Sequence, residues 1–301
     1  MVFGIFSGLA AAFLNSAGYL FSAFFLKRCN SPVRLLIFAQ IWMMLLSIPL
    51  LLLLYPAAGV SRSGRLFSTL IVWIIVFFVG QGSFFMSLRF FEASRLSSLL
   101  GLKIIVLTAI YTVVNRAFPN LGQYLAILMA AAAAVTINWS GGGGSLKSKG
   151  WIFVFITLIC YSLADITETI MVLCFVESGM GPVRSAFTST ALSYTALGLV
   201  SLPGLFFVRP DRHFLLSAPY ALIWLLSQAA LLTCFSQVLP VFGNVILASR
   251  GMFSVLLGAL VSAVGLGAIE ARISRAQWVR RGLAAFLMVL AIAVYSFATQ
   301  K

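Results

Sequence analysis

Long apolar runs recur along the whole chain, and they constrain its fold more than any other feature. Each has roughly 18 or more residues, enough for a helix that rises about 1.5 Å per residue to cross a bilayer core of about 30 Å. Of the 301 residues, 62% are hydrophobic and 9% are charged, and the mean hydropathy is +1.09. The runs lack the alternation of apolar and polar residues that barrel strands require. We therefore predict an all-α integral membrane protein.

Charged residues, glycine and proline divide the apolar runs into ten predicted membrane spans. The predicted spans cover residues 3–26, 34–55, 67–88, 93–114, 121–139, 151–175, 184–207, 214–236, 240–266 and 279–298. A Gly/Ser-rich segment, SGGGGSLKSKG at 140–150, lies near the midpoint and is typical of a flexible linker. It separates two predicted halves of five spans each, 1–139 and 151–301.

Short motifs recur in the same order in the two halves. SPVR at 31–34 returns as GPVR at 181–184, and ASR at 93–95 returns at 248–250. Because each half has an odd number of spans, the second half would enter the membrane from the opposite side to the first. The pattern therefore predicts inverted five-helix repeats, an architecture typical of secondary transporters.

One long segment, residues 244–294, carries a more specific pattern. It reads NVILASRGMFSVLLGALVSAVGLGAIEARISRAQWVRRGLAAFLMVLAIAV, in which a span rich in small residues leads to Glu270, a basic turn, Gln277 and Trp278. This segment resembles the last two helices of the EamA-like family of the drug/metabolite transporter superfamily. The ten-span, two-repeat plan extends the resemblance over the whole chain.

The resemblance implies one EamA-like repeat in residues 1–139 and a second in 151–301. It implies a transporter in a lipid bilayer, in the bacterial inner (plasma) membrane, with a small-molecule substrate, no cofactor and no metal. A homodimer is compatible with it.

Two of the six acids in the chain stand inside the sixth predicted span, in YSLADITETIM at 161–171. Tyr161, Asp165 and Glu168 follow at i, i+4 and i+7, so they share one helical face. A charge inside a bilayer is costly and is usually kept for function. We predict that these acids bind a cationic group or a proton in a water-filled cavity, with Asp165 the more important. The alternative is that Glu168 lies near the membrane boundary and Asp165 is neutralised by an internal base.

The first predicted span carries a polar face of the same spacing. Asn15, Tyr19 and Ser22 correspond to the three polar positions of the sixth span. In an inverted repeat these two faces would meet across the axis that relates the halves. We therefore predict that Asn15 and Tyr19 join the same site.

Two bases also fall inside predicted spans, Lys103 in the fourth and Arg250 in the ninth. They are suited to clamp the carboxylate or phosphate of a substrate, since a guanidinium can make two parallel hydrogen bonds. The alternative is internal pairing with Asp165 and Glu168. Both hypotheses hold if the substrate and a proton compete for the same acid–base pairs.

Tryptophans inside the spans, Trp42, Trp73 and Trp224, could form a cation-binding aromatic wall. The alternative is that they are ordinary packing or lipid-facing residues.

The leading hypothesis is a secondary transporter, an exporter or exchanger, of a small polar metabolite such as an amino acid or an amine, with proton coupling as an option. A flippase of a lipid-linked sugar is the alternative within the same superfamily. An intramembrane enzyme is disfavoured, because the sequence has one histidine, His213, and neither HExxH nor GxSxG.

The net charge of +14 predicts orientation rather than nucleic-acid binding, because the bases are scattered over short loops. Most of the 20 Lys and Arg fall in the loops after the odd-numbered spans, which predicts termini outside the cell. Family analogy instead implies cytoplasmic termini.

Ten spans place both termini on one side of the membrane and the linker on the other. In a cysteine-free background, Phe3→Cys and Gln300→Cys should react with an impermeant thiol reagent from one side, and Ser145→Cys from the opposite side. Reaction of Ser145→Cys from the same side as Gln300→Cys would rule out the ten-span count.

Overall fold

We analysed the fold in a computed structural model of the chain. The structure describes residues 1–56, 63–91, 93–115, 118–138, 150–263 and 275–299. The α-helices in these ranges are α1 (Val2–Cys29), α2 (Pro32–Leu54), α3 (Ser63–Ser87), α4 (Ala93–Leu99), α5 (Lys103–Asn115), α6 (Leu121–Asn138), α7 (Gly150–Glu177), α8 (Pro182–Ser201), α9 (Arg212–Gln237), α10 (Pro240–Leu247), α11 (Arg250–Ala263) and α12 (Arg275–Thr299). Two 3-10 turns, Leu100–Leu102 and Leu202–Phe206, complete the regular structure of the described ranges, which hold no strand.

Seven helical segments of the described chain are long and apolar enough to cross a membrane. They are Val2–Cys29, Pro32–Leu54, Gly64–Ser87, Gly150–Glu177, Pro182–Phe206, Arg212–Gln237 and Pro240–Val261. Shorter apolar helical segments lie at Leu100–Ile110, Leu121–Ala133 and Gly282–Ala298. The prediction of an all-helical, multi-pass membrane protein is confirmed, and the count of ten crossings stays a prediction.

The connection between α1 and α2 is short. Asn30 adopts a left-handed conformation with φ of 49°, and its N–H donates to the Leu26 oxygen at 2.7 Å. Asparagine tolerates this conformation better than most residues. Ser31 then caps α2 by accepting a hydrogen bond from the Arg34 N–H, and Pro32 occupies the first helical position. Two span-length helices thus follow each other with a two-residue connection.

The predicted helix over 93–114 is interrupted in the structure. The 3-10 turn Leu100–Leu102 separates α4 from α5 and contains Gly101, a residue of low helix propensity. Lys103, the first residue of α5, follows the turn directly. The predicted span over 93–114 therefore contains two α-helices joined by a 3-10 turn.

The predicted helix over 240–266 is interrupted as well. Ala248 and Ser249 form a turn between α10 and α11, and Arg250 is the first residue of α11. The hydroxyl of Ser16, in α1, donates to the Arg250 backbone oxygen at 2.7 Å, a contact that a neighbouring helix supplies at the break. Residues 264–274, with Glu270, lie outside the described residues.

The helices pack in pairs: α1 on α9, α3 on α7, α2 on α8 and α6 on α12. Among the short helices, α4 contacts α11 and α5 contacts α10. Small residues allow close approach: a Cβ at Gly198 of α8 would overlap Met44 and lie 2.8 Å from the Gln40 backbone oxygen. The predicted linker 140–150 lies outside the described residues except for Gly150, where α7 begins.

Candidate functional site

A cavity lies between α1, α3, α5, α7, α9, α10 and α11. The atom-free space, counted together with the open space at its mouth, is about 330 Å³, of which about 20 Å³ can hold the centre of a water molecule. All seven site residues predicted from the sequence line it: Asn15, Tyr19, Lys103, Tyr161, Asp165, Glu168 and Arg250. Each is at most 8% exposed. The structure thus gathers side chains from α1, α5, α7 and α11 into one buried polar site.

The Asp165 carboxylate is the most heavily bonded charge in the cavity. Its Oδ2 accepts from Lys103 Nζ at 2.6 Å and from Asn244 Nδ2 at 2.7 Å. Asn244, in α10, also donates to the Pro240 backbone oxygen at 3.0 Å, which fixes the orientation of its amide. Away from water such bonds are electrostatically strong, and their geometry decides whether they offset the cost of burying two charges. The predicted internal pairing is therefore present for Lys103 and Asp165.

Arg250 has no such counter-charge in the described chain. Its NH1 donates to the Tyr19 hydroxyl at 3.3 Å, and its guanidinium carbon lies 5.9 Å from the centre of the Tyr19 ring. Its buried Nε has no hydrogen-bond partner among the described residues. The predicted ion pair between Arg250 and Glu168 is thus not observed.

Glu168 is held by an aromatic donor instead of a base. Trp73 of α3 donates its indole N–H to Glu168 Oε2 at 3.2 Å, while Glu168 Oε1 is buried without a partner in the described chain. With 3% of its surface exposed, Glu168 is a buried residue.

The polar face of α1 is arranged around Asn15. Its Nδ2 donates to Ser227 Oγ at 2.8 Å, whereas its buried Oδ1 has no partner among the described residues. Tyr19 faces Arg250 as described above, but the Ser22 hydroxyl turns back to the Tyr19 backbone oxygen at 2.7 Å. The predicted polar face of α1 therefore reaches the cavity with two residues.

An aromatic wall completes the cavity. Phe77 stacks on Tyr161 with ring centres 5.9 Å apart, and Trp224 approaches Tyr19 at the same distance. Trp73 contacts the site through Glu168, while Trp42 lies elsewhere, stacked on Phe214.

Two glutamines of this region were not predicted from the sequence. Gln228 lines the cavity, and Gln81 accepts from the Tyr161 hydroxyl at 2.7 Å and donates to the Tyr220 hydroxyl. A glutamine inside an apolar run is the signal that would have found both.

Carboxylates at helix ends behave as solvated surface groups. Asp211 caps α9 and binds Arg34 at 3.0 Å, and Glu177 lies 3.7 Å from Arg65. A hydrogen bond from the His213 side chain, aided by Arg34, holds the pKa of Asp211 below its ordinary value. Glu92 and Glu270 lie outside the described residues.

The cavity offers binding groups rather than a metal-ligand set. Over the described ranges, no group of three or more His, Cys, Asp and Glu could hold a metal ion. What the cavity presents is an ion pair, one further base, one further acid and amide groups.

Comparisons with known proteins bear on the fold alone. No family model matches the sequence, and no curated protein matches it. Twenty-eight chains of solved structures match. One of them, described only as a crystal structure of a protein, aligns over 97% of this chain and 99% of its own with a TM-score of 0.58 and 14% identity. The two chains therefore share a fold over nearly their full lengths.

The ion pair of Lys103 and Asp165 should show strong coupling in a double-mutant cycle. Lys103→Gln or Asp165→Asn alone leaves an uncompensated buried charge, and each should lower the free energy of unfolding by about 3–5 kcal/mol. The double variant should lose less than either single variant. Unfolding in detergent measures the effect, and Arg34→Gln at the exposed pair with Asp211 is the control expected to change little. Additive losses would show that the two charges do not interact.

Proposed function

We propose that the chain is a secondary transporter of a small polar metabolite, such as an amino acid or an amine, that exports or exchanges it by alternating access. The observation that carries the proposal is the charged cavity within the bundle of membrane helices. Charged side chains inside a membrane are costly and typically mark the pathway of a substrate or proton. Enclosed cavities with a few convergent polar groups are the usual form of small-molecule sites.

The packing of the helices supports a two-repeat architecture. If the ten predicted spans form two inverted sets of five, each span has an equivalent five positions later. The helices α1 and α9 are the first and eighth predicted spans. Replacing each span by its equivalent gives the sixth and third spans, which are α7 and α3. Both pairs of helices are in contact. The pairs α2 with α8 and α6 with α12 are exchanged onto themselves. The proposed repeats, 1–139 and 151–301 around the linker 140–150, agree with this pattern.

The two interrupted helices support the same conclusion. They correspond to the fourth and ninth predicted spans, which are equivalent under the exchange. Each break is followed directly by a base that lines the cavity, Lys103 in one and Arg250 in the other. Broken helices whose ends point to a central site recur in secondary transporters.

Membership of the EamA-like family, in the drug/metabolite transporter superfamily, is part of the proposal. It rests on the sequence pattern of 244–294 together with these features of packing. A bacterial plasma membrane is the setting that this family membership implies.

The pair of Lys103 and Asp165 is the proposed coupling element. Protonation of the Asp165 carboxylate would weaken its bond to Lys103 and leave α5 and α7 less tightly joined. A bistable contact of this kind can link occupancy of the site to a movement of one repeat against the other.

Uptake into proteoliposomes tests the proposal. Vesicles containing the protein should exchange, and with an imposed pH gradient accumulate, at least one compound from a panel of labelled amino acids, amines and sugar phosphates. Asp165→Asn should lose accumulation driven by the gradient while exchange persists. Asp165→Asn combined with Lys103→Gln tests the same step without leaving the Lys103 charge unpaired, and Glu177→Gln, at the end of the same helix, is the matched control.

Two results would contradict the proposal. If Asp165→Asn matches the parent in both accumulation and pH dependence, the pair has no role in coupling. If no soluble compound moves but a lipid-linked sugar crosses the bilayer, the protein is a flippase.

A further inference from the structure

Three buried polar atoms on the cavity wall have no hydrogen-bond partner in the described chain: Asn15 Oδ1, Glu168 Oε1 and Arg250 Nε. They belong to three different helices, and each side chain is at most 3% exposed. Leaving such a group unbonded costs the desolvation of that group, about 1–3 kcal/mol and more for a charge. Three of them around one cavity therefore indicate that a ligand completes their bonding.

The partners of these atoms identify the groups that such a ligand must carry. Glu168 Oε1 and Asn15 Oδ1 can accept hydrogen bonds, so they call for a donor. Arg250 Nε can only donate, so it calls for an acceptor. An ammonium group meets the first requirement and a carboxylate or sulfonate meets the second.

The charges of the cavity point the same way. Lys103 and Asp165 bind each other at 2.6 Å, and therefore compensate one another. Glu168 and Arg250 are left as one acid and one base without an ion-pair partner in the described part of the chain. A ligand that carries both a positive and a negative group would neutralise the two, whereas a ligand with one charge would leave the other exposed in a low-dielectric site.

Glu168 and Arg250 are each held in place by a hydrogen bond to an aromatic residue. Trp73 binds Glu168 Oε2, and Tyr19 binds Arg250 NH1. Fixed orientation lowers the entropic cost of binding a ligand with two charged ends. Trp224 and Phe77, also on the cavity wall, are aromatic residues, and rings of this kind can attract ammonium groups.

We infer that the cavity binds a small zwitterion, with its ammonium group on Glu168 and Asn15 and its acidic group on Arg250. This inference rests on the proposed function and gives its substrate class. It separates two tasks within the site, because Glu168 and Arg250 hold the substrate while Lys103 and Asp165 bind each other.

Binding to the purified protein tests the inference without transport. The probes are the standard L-amino acids, β-alanine, γ-aminobutyrate and taurine, each measured by the rise in melting temperature that binding produces. The best of them is then compared with its analogue lacking the acidic group and its analogue lacking the amine. For leucine these are 3-methylbutylamine and 4-methylpentanoate. Each analogue should bind at least about tenfold more weakly than the zwitterion.

Variants assign the two ends of the ligand. Glu168→Gln should weaken binding of the zwitterion by at least about tenfold and leave binding of the acid analogue unchanged. Arg250→Gln should weaken the zwitterion similarly and leave the amine analogue unchanged. Glu177→Gln and Arg34→Gln, which change the same residue types outside the cavity, should bind as the parent does. If a cavity variant does not fold, the analogue series on the unmodified protein still decides the question.

Failure of this inference can be told apart from failure of the proposed transport. If proteoliposomes move a compound of single charge, or if either analogue binds as tightly as the zwitterion, transport stands and the zwitterion site is wrong. If no zwitterion in the panel raises the melting temperature, the inference is likewise overturned. If a zwitterion binds with the predicted variant pattern but is not taken up, the site stands and the transporter proposal falls.

Discussion

The interior of a bilayer offers no hydrogen-bond partners, so polar groups placed there must find their partners within the protein. For most of the described chain this need is met by regular helices, whose backbones are satisfied internally. One cavity is bordered by two interrupted helices and by acids and bases that are buried together. The Lys103–Asp165 pair connects α5 to α7 at this place, and Asn244 adds α10 to the same carboxylate. Three helices thus meet at one oxygen atom.

A single break in each of two helices has consequences for the whole site. The 3-10 turn before Lys103 and the turn before Arg250 start a new helix at each base. Lys103 pairs with the Asp165 carboxylate, whereas Arg250 contacts the Tyr19 hydroxyl and ring. This asymmetry is what leaves one base and one acid available in the cavity.

The sequence predicted which residues line the site, but not which hydrogen bonds and ion pairs they form with one another. Tyr161, Asp165 and Glu168 could be placed on one face because α7 is an unbroken helix, and helical spacing then decides which residues point together. The choice of partners depends on how helices rotate and shift against one another, which no local pattern encodes. Pairing both acids with both bases was therefore a reasonable hypothesis, yet only one pair forms. The Trp73–Glu168 bond likewise depends on the packing of α3 against α7.

The breaks in the fourth and ninth predicted spans escaped prediction for another reason. Hydropathy measures how well side chains suit lipid. It does not indicate whether each backbone N–H forms the helical hydrogen bond to the carbonyl oxygen four residues earlier. Residues such as Gly101 lower the cost of an interruption without requiring one. The contact of Ser16 with the Arg250 backbone joins residues far apart in the sequence, and so only the folded chain reveals it.

The central claim is that the buried charges border a cavity that water and small solutes can enter. Ala164 lies on the cavity wall between the positions of Tyr161 and Asp165, whereas Ala221 is fully buried in the packed core. In a cysteine-free background, Ala164→Cys should react with a small water-soluble cationic thiol reagent in membrane vesicles, and a bound zwitterion should slow the reaction. Ala221→Cys should remain unreactive. Equal resistance of the two cysteines to the reagent would contradict the account, because the charges would then be a sealed structural pair with no route for a substrate.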